Sequence, residues 1–175
     1  MTARVRSMCL TALFATLLTV GAWITIPIGM PPYTMQSFVL YCALWLLPFR
    51  QSFGAVGLYL LMGAVGLPVF SGFRSGITVF LSPTGGYLLG FLTMPLIMLF
   101  SKPKTFSRIV YCALGSLTCY VFGTLWYITA YGEWSTGGIL AALLQCVLPF
   151  LLPDAAKLAL AAVVSKRLEP HLRQF

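Results

Sequence analysis

Five apolar runs dominate the chain: Ser7–Phe49, Gln51–Phe73, Ser75–Ser101, Ile109–Gly132 and Trp134–Pro153 contain no Asp, Glu, Lys or Arg. A helix that crosses a bilayer needs about 20 predominantly apolar residues. Each shorter run therefore holds one span, and the first is long enough for two. Proline ends or interrupts helices because it lacks an N–H and restricts its predecessor. On that basis the expected helices are Met8–Ile26, Ser37–Leu47, Phe53–Val65, Gly86–Phe100 and Ile109–Ala130. The last apolar region, Ile139–Val164, contains Pro149 and Pro153, which predict a short helix, a break near Pro153 and then a sixth span. Between the first two helices, Pro27, Pro31 and Pro32 exclude a continuous helix over Pro27–Gln36.

The segment Gly66–Tyr87 is apolar but too rich in Gly and Pro for one straight helix. Irregular backbone at membrane depth is tolerated only when it is buried in protein or lines a cavity. This loop is therefore expected to dip back and cover something. No linker, low-complexity tract or repeat divides the chain, which reads as a single domain over residues 1–175.

Composition agrees: 59% of the 175 residues are hydrophobic and 8% are charged, against roughly 25% charged in soluble domains. The net charge of +8 does not indicate nucleic-acid binding, which needs a basic patch on a soluble surface. Basic residues instead cluster between apolar runs, at Arg4/Arg6, Arg50, Lys102/Lys104/Arg108 and Lys166/Arg167/Arg173, with Arg74 and Lys157 apart from them. Basic residues mark cytoplasmic loops, so the expected fold is an all-α integral membrane protein of six transmembrane helices, with N and C termini cytoplasmic. Met8–Ile26 exceeds a usual signal-peptide core and no small-x-small cleavage site follows, so it reads as the first span.

The polar inventory argues against chemistry. The three acids are Asp154, Glu133 and Glu169, and the single histidine, His171, lies in the basic tail. No HExxH, GxSxG or P-loop occurs. The five cysteines lie in apolar segments without a CxxC pair and read as small hydrophobes. Neither an enzyme, a metal site nor a cofactor is expected.

Asp154 and Lys157 stand at i and i+3 in Leu152-Pro-Asp-Ala-Ala-Lys157, and so share a helical face. Ionisable groups in such segments are expensive and usually meet a cavity or a partner. The bland alternative is that Asp154 caps the last helix and Lys157 snorkels to the headgroups. Arg74 is the basic residue of the long outer loop, suited to an anionic solute or to lipid phosphate. Tyr87 is a candidate pocket wall with a hydroxyl donor, and Gln36 offers both donor and acceptor beside the Pro-rich loop. Tyrosine and tryptophan at an interface are more often anchors, a reading that also covers Trp23, Trp45, Trp126, Trp134, Tyr127 and Tyr131.

The string Gly66-Leu-Pro-Val-Phe-Ser-Gly-Phe-Arg74, followed by Ser82-Pro-Thr-Gly-Gly-Tyr87-Leu-Leu-Gly-Phe91, resembles the signature of the BioY family. Those are the substrate-binding S components of biotin transporters of the energy-coupling factor (ECF) type. Pro32-Tyr-Thr-Met-Gln36 and Asp154-x-x-Lys157 are similar to the family as well, and the likeness runs over nearly the whole chain. Two places depart from the family pattern. Leu152-Pro153 stands where Pro-Gly often precedes the aspartate. Thr11/Ala15 and Ala12/Thr16 stand where helix 1 often carries Ala-xxx-Ala for docking.

The resemblance implies a prokaryotic-type, multi-pass protein of the cell membrane that captures biotin from outside. It would work with a transmembrane coupling subunit (T component) and a pair of cytoplasmic ATPases. It places Asp154, Lys157 and Arg74 around the ligand, with Tyr87 and the glycine-rich loop closing the site. Biotin offers two ureido N–H donors, a ureido carbonyl, an apolar thiophane and chain, and a carboxylate. Asp154 is then expected to accept from a ureido N–H, Lys157 to donate to the ureido oxygen or another polar atom, and Arg74 to meet the carboxylate at the mouth. The nearest alternative is an S component for another vitamin such as thiamine or riboflavin. An intramembrane enzyme and a self-sufficient carrier are more distant alternatives.

Overall fold

The computed structural model describes residues 3–26, 31–132 and 134–174. Its helices are α1 (Ala3–Trp23), α2 (Gln36–Leu46), α3 (Phe49–Ala64), α4 (Ile77–Leu81), α5 (Gly85–Gly90), α6 (Thr93–Met98), α7 (Thr105–Tyr131), α8 (Thr136–Cys146) and α9 (Leu148–Gln174). Two short strands, β1 (Thr25–Ile26) and β2 (Tyr33–Thr34), pair antiparallel between α1 and α2. Pro27–Met30 and Glu133 lie outside the described residues. Three helical stretches, Arg4–Trp23, Thr105–Tyr131 and Thr136–His171, are long and apolar enough to cross a membrane. Their outward faces carry exposed Leu13, Leu17, Leu114, Leu117, Val121, Leu125, Leu160 and Val163, as expected of surfaces solvated by acyl chains.

The short helix α2 occupies the middle of the bundle. Leu40, Tyr41, Ala43, Leu44 and Trp45 are buried, and α2 packs against α9 and α1. With 11 residues it spans about 16 Å at 1.5 Å per residue, roughly half of a hydrocarbon core of about 30 Å. The other half of that column is left for the hairpin and a cavity.

One end of the bundle collects the starts of α1, α3 and α7 and the ends of α2 and α9. There Arg6, Trp45, Gln51, Arg108 and Glu169 line one depression, while Lys102 and Arg108 line another beside it. Arg108 ties the end together: its guanidinium meets Glu169 at 3.3 Å, donates to the Trp45 carbonyl and lies over the Trp45 ring. Both described chain ends therefore fall on this basic end, and Arg74 and Lys157 fall in the other half.

Several expected boundaries move. Helix α1 begins at Ala3 instead of Met8 and stops at Trp23, where Thr25–Ile26 turn into the hairpin. Helix α3 starts directly after Pro48 and takes Arg50 into its first turn. The expected helix Gly86–Phe100 is two short pieces, α5 and α6, joined by turn residues Phe91 and Leu92. Pro95 has no N–H for the Phe91 carbonyl, which loosens the ladder at that joint.

The expected break near Pro153 lies instead at Val147, and Pro153 sits inside α9. Pro149 falls in the first helical turn, where an N–H is not needed. Pro153 leaves the Pro149 carbonyl, four residues back, without a helical donor. The Tyr33 hydroxyl donates to that carbonyl at 3.1 Å, and its ring stacks on Phe150 at 4.5 Å. Asp154 is accordingly in the second turn of α9 and does not cap it.

The Gly66–Tyr87 segment folds back over the bundle. Phe70 is fully buried, edge-on to both Tyr59 and Phe80. Its ring lies so close to Gly63 that an added Cβ would fall 1.9 Å from it. A Gly63→Ala substitution is therefore expected to push Phe70 and the loop outward. The cost should be about 1–3 kcal/mol, as for other overpacked sites. Thermal unfolding of the purified chain in detergent would measure it.

Candidate functional site

Helices α2, α5, α7, α8 and α9, the hairpin and the folded-back loop enclose a cavity in the non-basic half. Its volume is about 110 Å³, and it is partly open to the outside. Its walls are mostly apolar, with Phe70, Val79, Leu88, Phe91 and Phe150 among them. Gln36, Arg74, Tyr87, Asp154 and Lys157 all line it.

Asp154 and Lys157 form its polar floor. Their side chains are 13% and 14% exposed, and Nζ of Lys157 lies 3.0 Å from Oδ1 of Asp154. The Ser37 hydroxyl, on the first turn of α2, donates to the same Oδ1 at 2.8 Å. The Tyr120 hydroxyl, from the middle of α7, donates to Oδ2 at 2.5 Å. A carboxylate has about four lone-pair positions, so three donors leave one position, on Oδ2. Lys157 also donates to the Thr34 carbonyl at 2.8 Å and to Ser37 Oγ at 3.1 Å. Its three N–H groups are all engaged, so a ligand oxygen reaches the ammonium only by replacing one of these acceptors.

The other candidates differ in how they present themselves. Gln36 is buried and directed into the protein: its Nε2 donates to the Tyr59 hydroxyl at 2.5 Å, and its Oε1 accepts from Thr34. Tyr87 packs its ring against Gly123, and its hydroxyl shares a hydrogen bond with Thr124 at 3.0 Å, so the hydroxyl is already engaged within the protein. Arg74 is exposed at the rim, with Nε donating to the Ser71 carbonyl at 3.1 Å. Among the described residues no group of three or more His, Cys, Asp or Glu side chains is placed to hold a metal ion.

Sequence reasoning missed Tyr120, Ser37, Tyr33 and Phe150. A signal for Tyr120 was present. Arg108, Cys112, Ser116, Tyr120 and Thr124 recur every fourth residue, which puts them on one face of α7. Each of four of them meets an inward polar partner: Arg108 meets Glu169, Ser116 meets Tyr41 at 2.7 Å, Tyr120 meets Asp154, and Thr124 meets Tyr87.

Two tryptophans expected as interfacial anchors hold the loop instead. The Trp23 indole N–H donates to the Pro68 carbonyl at 2.9 Å, and that of Trp126 donates to the Ser82 carbonyl at 3.1 Å. The loop is thus tied near both of its ends, from α1 and from α7. Trp45, likewise expected at an interface, is buried beneath Arg108.

The model of the BioY family matches residues 1–174. The chain belongs to the BioY family. Among its relatives, a probable biotin transporter BioY of Pyrococcus horikoshii is 34% identical, over 95% of this chain and 98% of that one. The biotin transporter BioY of Thermotoga maritima is also 34% identical, over 94% of this chain and 96% of its own. A solved structure, the S-component for biotin from an ECF-type ABC transporter, superposes with a TM-score of 0.84 at 25% identity. That match covers 97% of this chain and 95% of the other. BioY proteins are multi-pass membrane proteins, and the long apolar helices here fit that location.

Loss of one loop tie should loosen the roof before it affects the bundle. In Trp126→Phe the Ser82 carbonyl loses its donor. Amide hydrogen exchange over residues 67–84 is expected to speed up about fivefold, corresponding to roughly 1 kcal/mol for a hydrogen bond. Exchange in the middle of α7 should stay unchanged.

Proposed function

We propose that this chain is a membrane-embedded, high-affinity biotin-binding S component of an ECF-type vitamin transporter. The observation that carries the reading is the Asp154–Lys157–Ser37–Tyr120 cluster at the floor of a mostly apolar cavity. Its support is a chain that matches the biotin S-component along nearly its whole length.

Biotin combines a compact polar ring with an apolar body, and the cavity has the complementary division. The open lone pair on Oδ2 of Asp154 accepts one ureido N–H. A charge-assisted bond in a low-dielectric site is stronger and more selective than a neutral one. Lys157 holds Asp154 in place and meets the ureido oxygen by giving up its contact with Ser37. Phe70, Phe91, Leu88 and the Tyr87 ring enclose the thiophane and the chain. Arg74, exposed at the rim, meets the carboxylate.

The basic end faces the cytoplasm by the positive-inside rule, so both termini are cytoplasmic, the chain crosses six times and the cavity opens outward. The chain itself hydrolyses nothing. ATP hydrolysis belongs to a pair of cytoplasmic ATPases, coupled through a transmembrane T component.

Equilibrium binding of labelled biotin to the purified chain tests this. Saturable binding is expected, with Asp154→Asn and Lys157→Ala each weakening it at least tenfold, the cost of losing a hydrogen bond to a charged group (about 1.5–3 kcal/mol). Absence of saturable binding, unchanged affinity in both variants, or displacement of biotin by thiamine or riboflavin at equal concentration would overturn it.

A further inference from the structure

Within the floor cluster, the acceptor position left open lies on Oδ2 of Asp154. Oδ1 of Asp154 accepts from both Ser37 and Lys157. Among the described residues, Oδ2 accepts from Tyr120 alone. The neighbouring Tyr41 hydroxyl does not compete, because it pairs with Ser116 at 2.7 Å. Tyr120 sits mid-way along the 27 residues of α7, far from either membrane interface, so an anchoring role does not explain it. Its one donor is directed at Oδ2 at a length typical of O–H···O⁻ bonds.

We infer that Tyr120 is a positioning residue that sets ligand selectivity. By occupying one side of Oδ2 it leaves Asp154 a single acceptor position, so the floor matches a neutral ring that turns one of its N–H groups and its carbonyl toward it, and rejects a ring edge richer in donors. This rests on the biotin-binding reading above and adds to it a reason for discrimination. A urea ring places one N–H on Oδ2 and keeps its carbonyl for Lys157. A guanidinium ring of the same shape has no carbonyl and brings extra N–H groups, which would meet a carboxylate already saturated on its other positions and a lysine ammonium. Removing the Tyr120 hydroxyl opens a second acceptor position on Oδ2. That change favours the guanidinium ring relative to the urea ring.

The test compares equilibrium binding of biotin and 2-iminobiotin, its guanidinium counterpart, at neutral pH. In the wild-type chain biotin is expected to bind at least tenfold more tightly. In Tyr120→Phe biotin affinity should fall about tenfold while the preference over 2-iminobiotin narrows at least threefold. In the Asp154→Asn background the same Tyr120→Phe change should leave the ratio unaltered, because the hydroxyl acts through the carboxylate.

A purely structural role would weaken both ligands equally, and an unchanged ratio in Tyr120→Phe would overturn the proposal. A wild-type chain that binds 2-iminobiotin as tightly as biotin would overturn it too, whether or not the variant folds. Failure of the underlying reading looks different: the wild-type chain would then not bind biotin at all.

Discussion

A carboxylate carried on an apolar helix is costly to keep in a membrane protein unless fixed donors replace the water it has lost. Asp154 has three such donors, one each from α2, α7 and α9. To supply them, these helices must meet at one depth and in one rotational setting. Helix α2 must begin at that level so that Ser37 faces α9. Helix α7 must turn its Tyr120 face inward. The second strand of the hairpin must present the Thr34 carbonyl to Lys157. Much of the architecture of the half that holds the cavity follows from satisfying this one charged pair.

The cavity is the complement of the same arrangement. Because α2 covers only part of the membrane thickness, the column above it is free, and the hairpin and the folded-back loop roof it over. The roof is apolar where it enters the bundle, through Val69, Phe70 and Val79. Indole donors from α1 and α7 hold it near its two ends. The result is a floor with directional polar groups beneath mostly apolar walls, a division suited to a solute with one polar end and an apolar body. At the opposite end of the bundle, Arg108 gathers Glu169 and Trp45 into a second polar knot. The polar face of α7 links the two knots along the interior.

How much of this was legible in the chain differs from element to element. The Gly66–Tyr87 segment announced itself as irregular yet apolar, which at membrane depth leaves few options other than folding back. Asp154 and Lys157 were conspicuous because charges are rare in such runs. Tyr120 and Ser37 were not conspicuous: a tyrosine or serine in an apolar helix is cheap to tolerate, and only its partner makes it informative. The four-residue recurrence from Arg108 to Thr124 was readable as a face, but not which helix that face would meet. Proline misled at Pro153, since the rule that proline ends a helix assumes that the orphaned carbonyl finds no donor. Tyr33, far away in the chain, supplies one.

The sequence by itself determined residence in the membrane, the succession of helices, the basic end and the family. These depend on composition averaged along contiguous stretches and on short motifs, and they need no knowledge of contacts. Only the tertiary structure decided how Asp154 is held, which of its lone pairs stays open, that Lys157 is already fully engaged, and that Gln36 faces inward. The physical reason is that a hydrogen bond is fixed to a few tenths of an ångström. The partners of Asp154 lie 117, 34 and 3 residues away along the chain, and only the packing of α2, α7 and α9 brings them to one carboxylate.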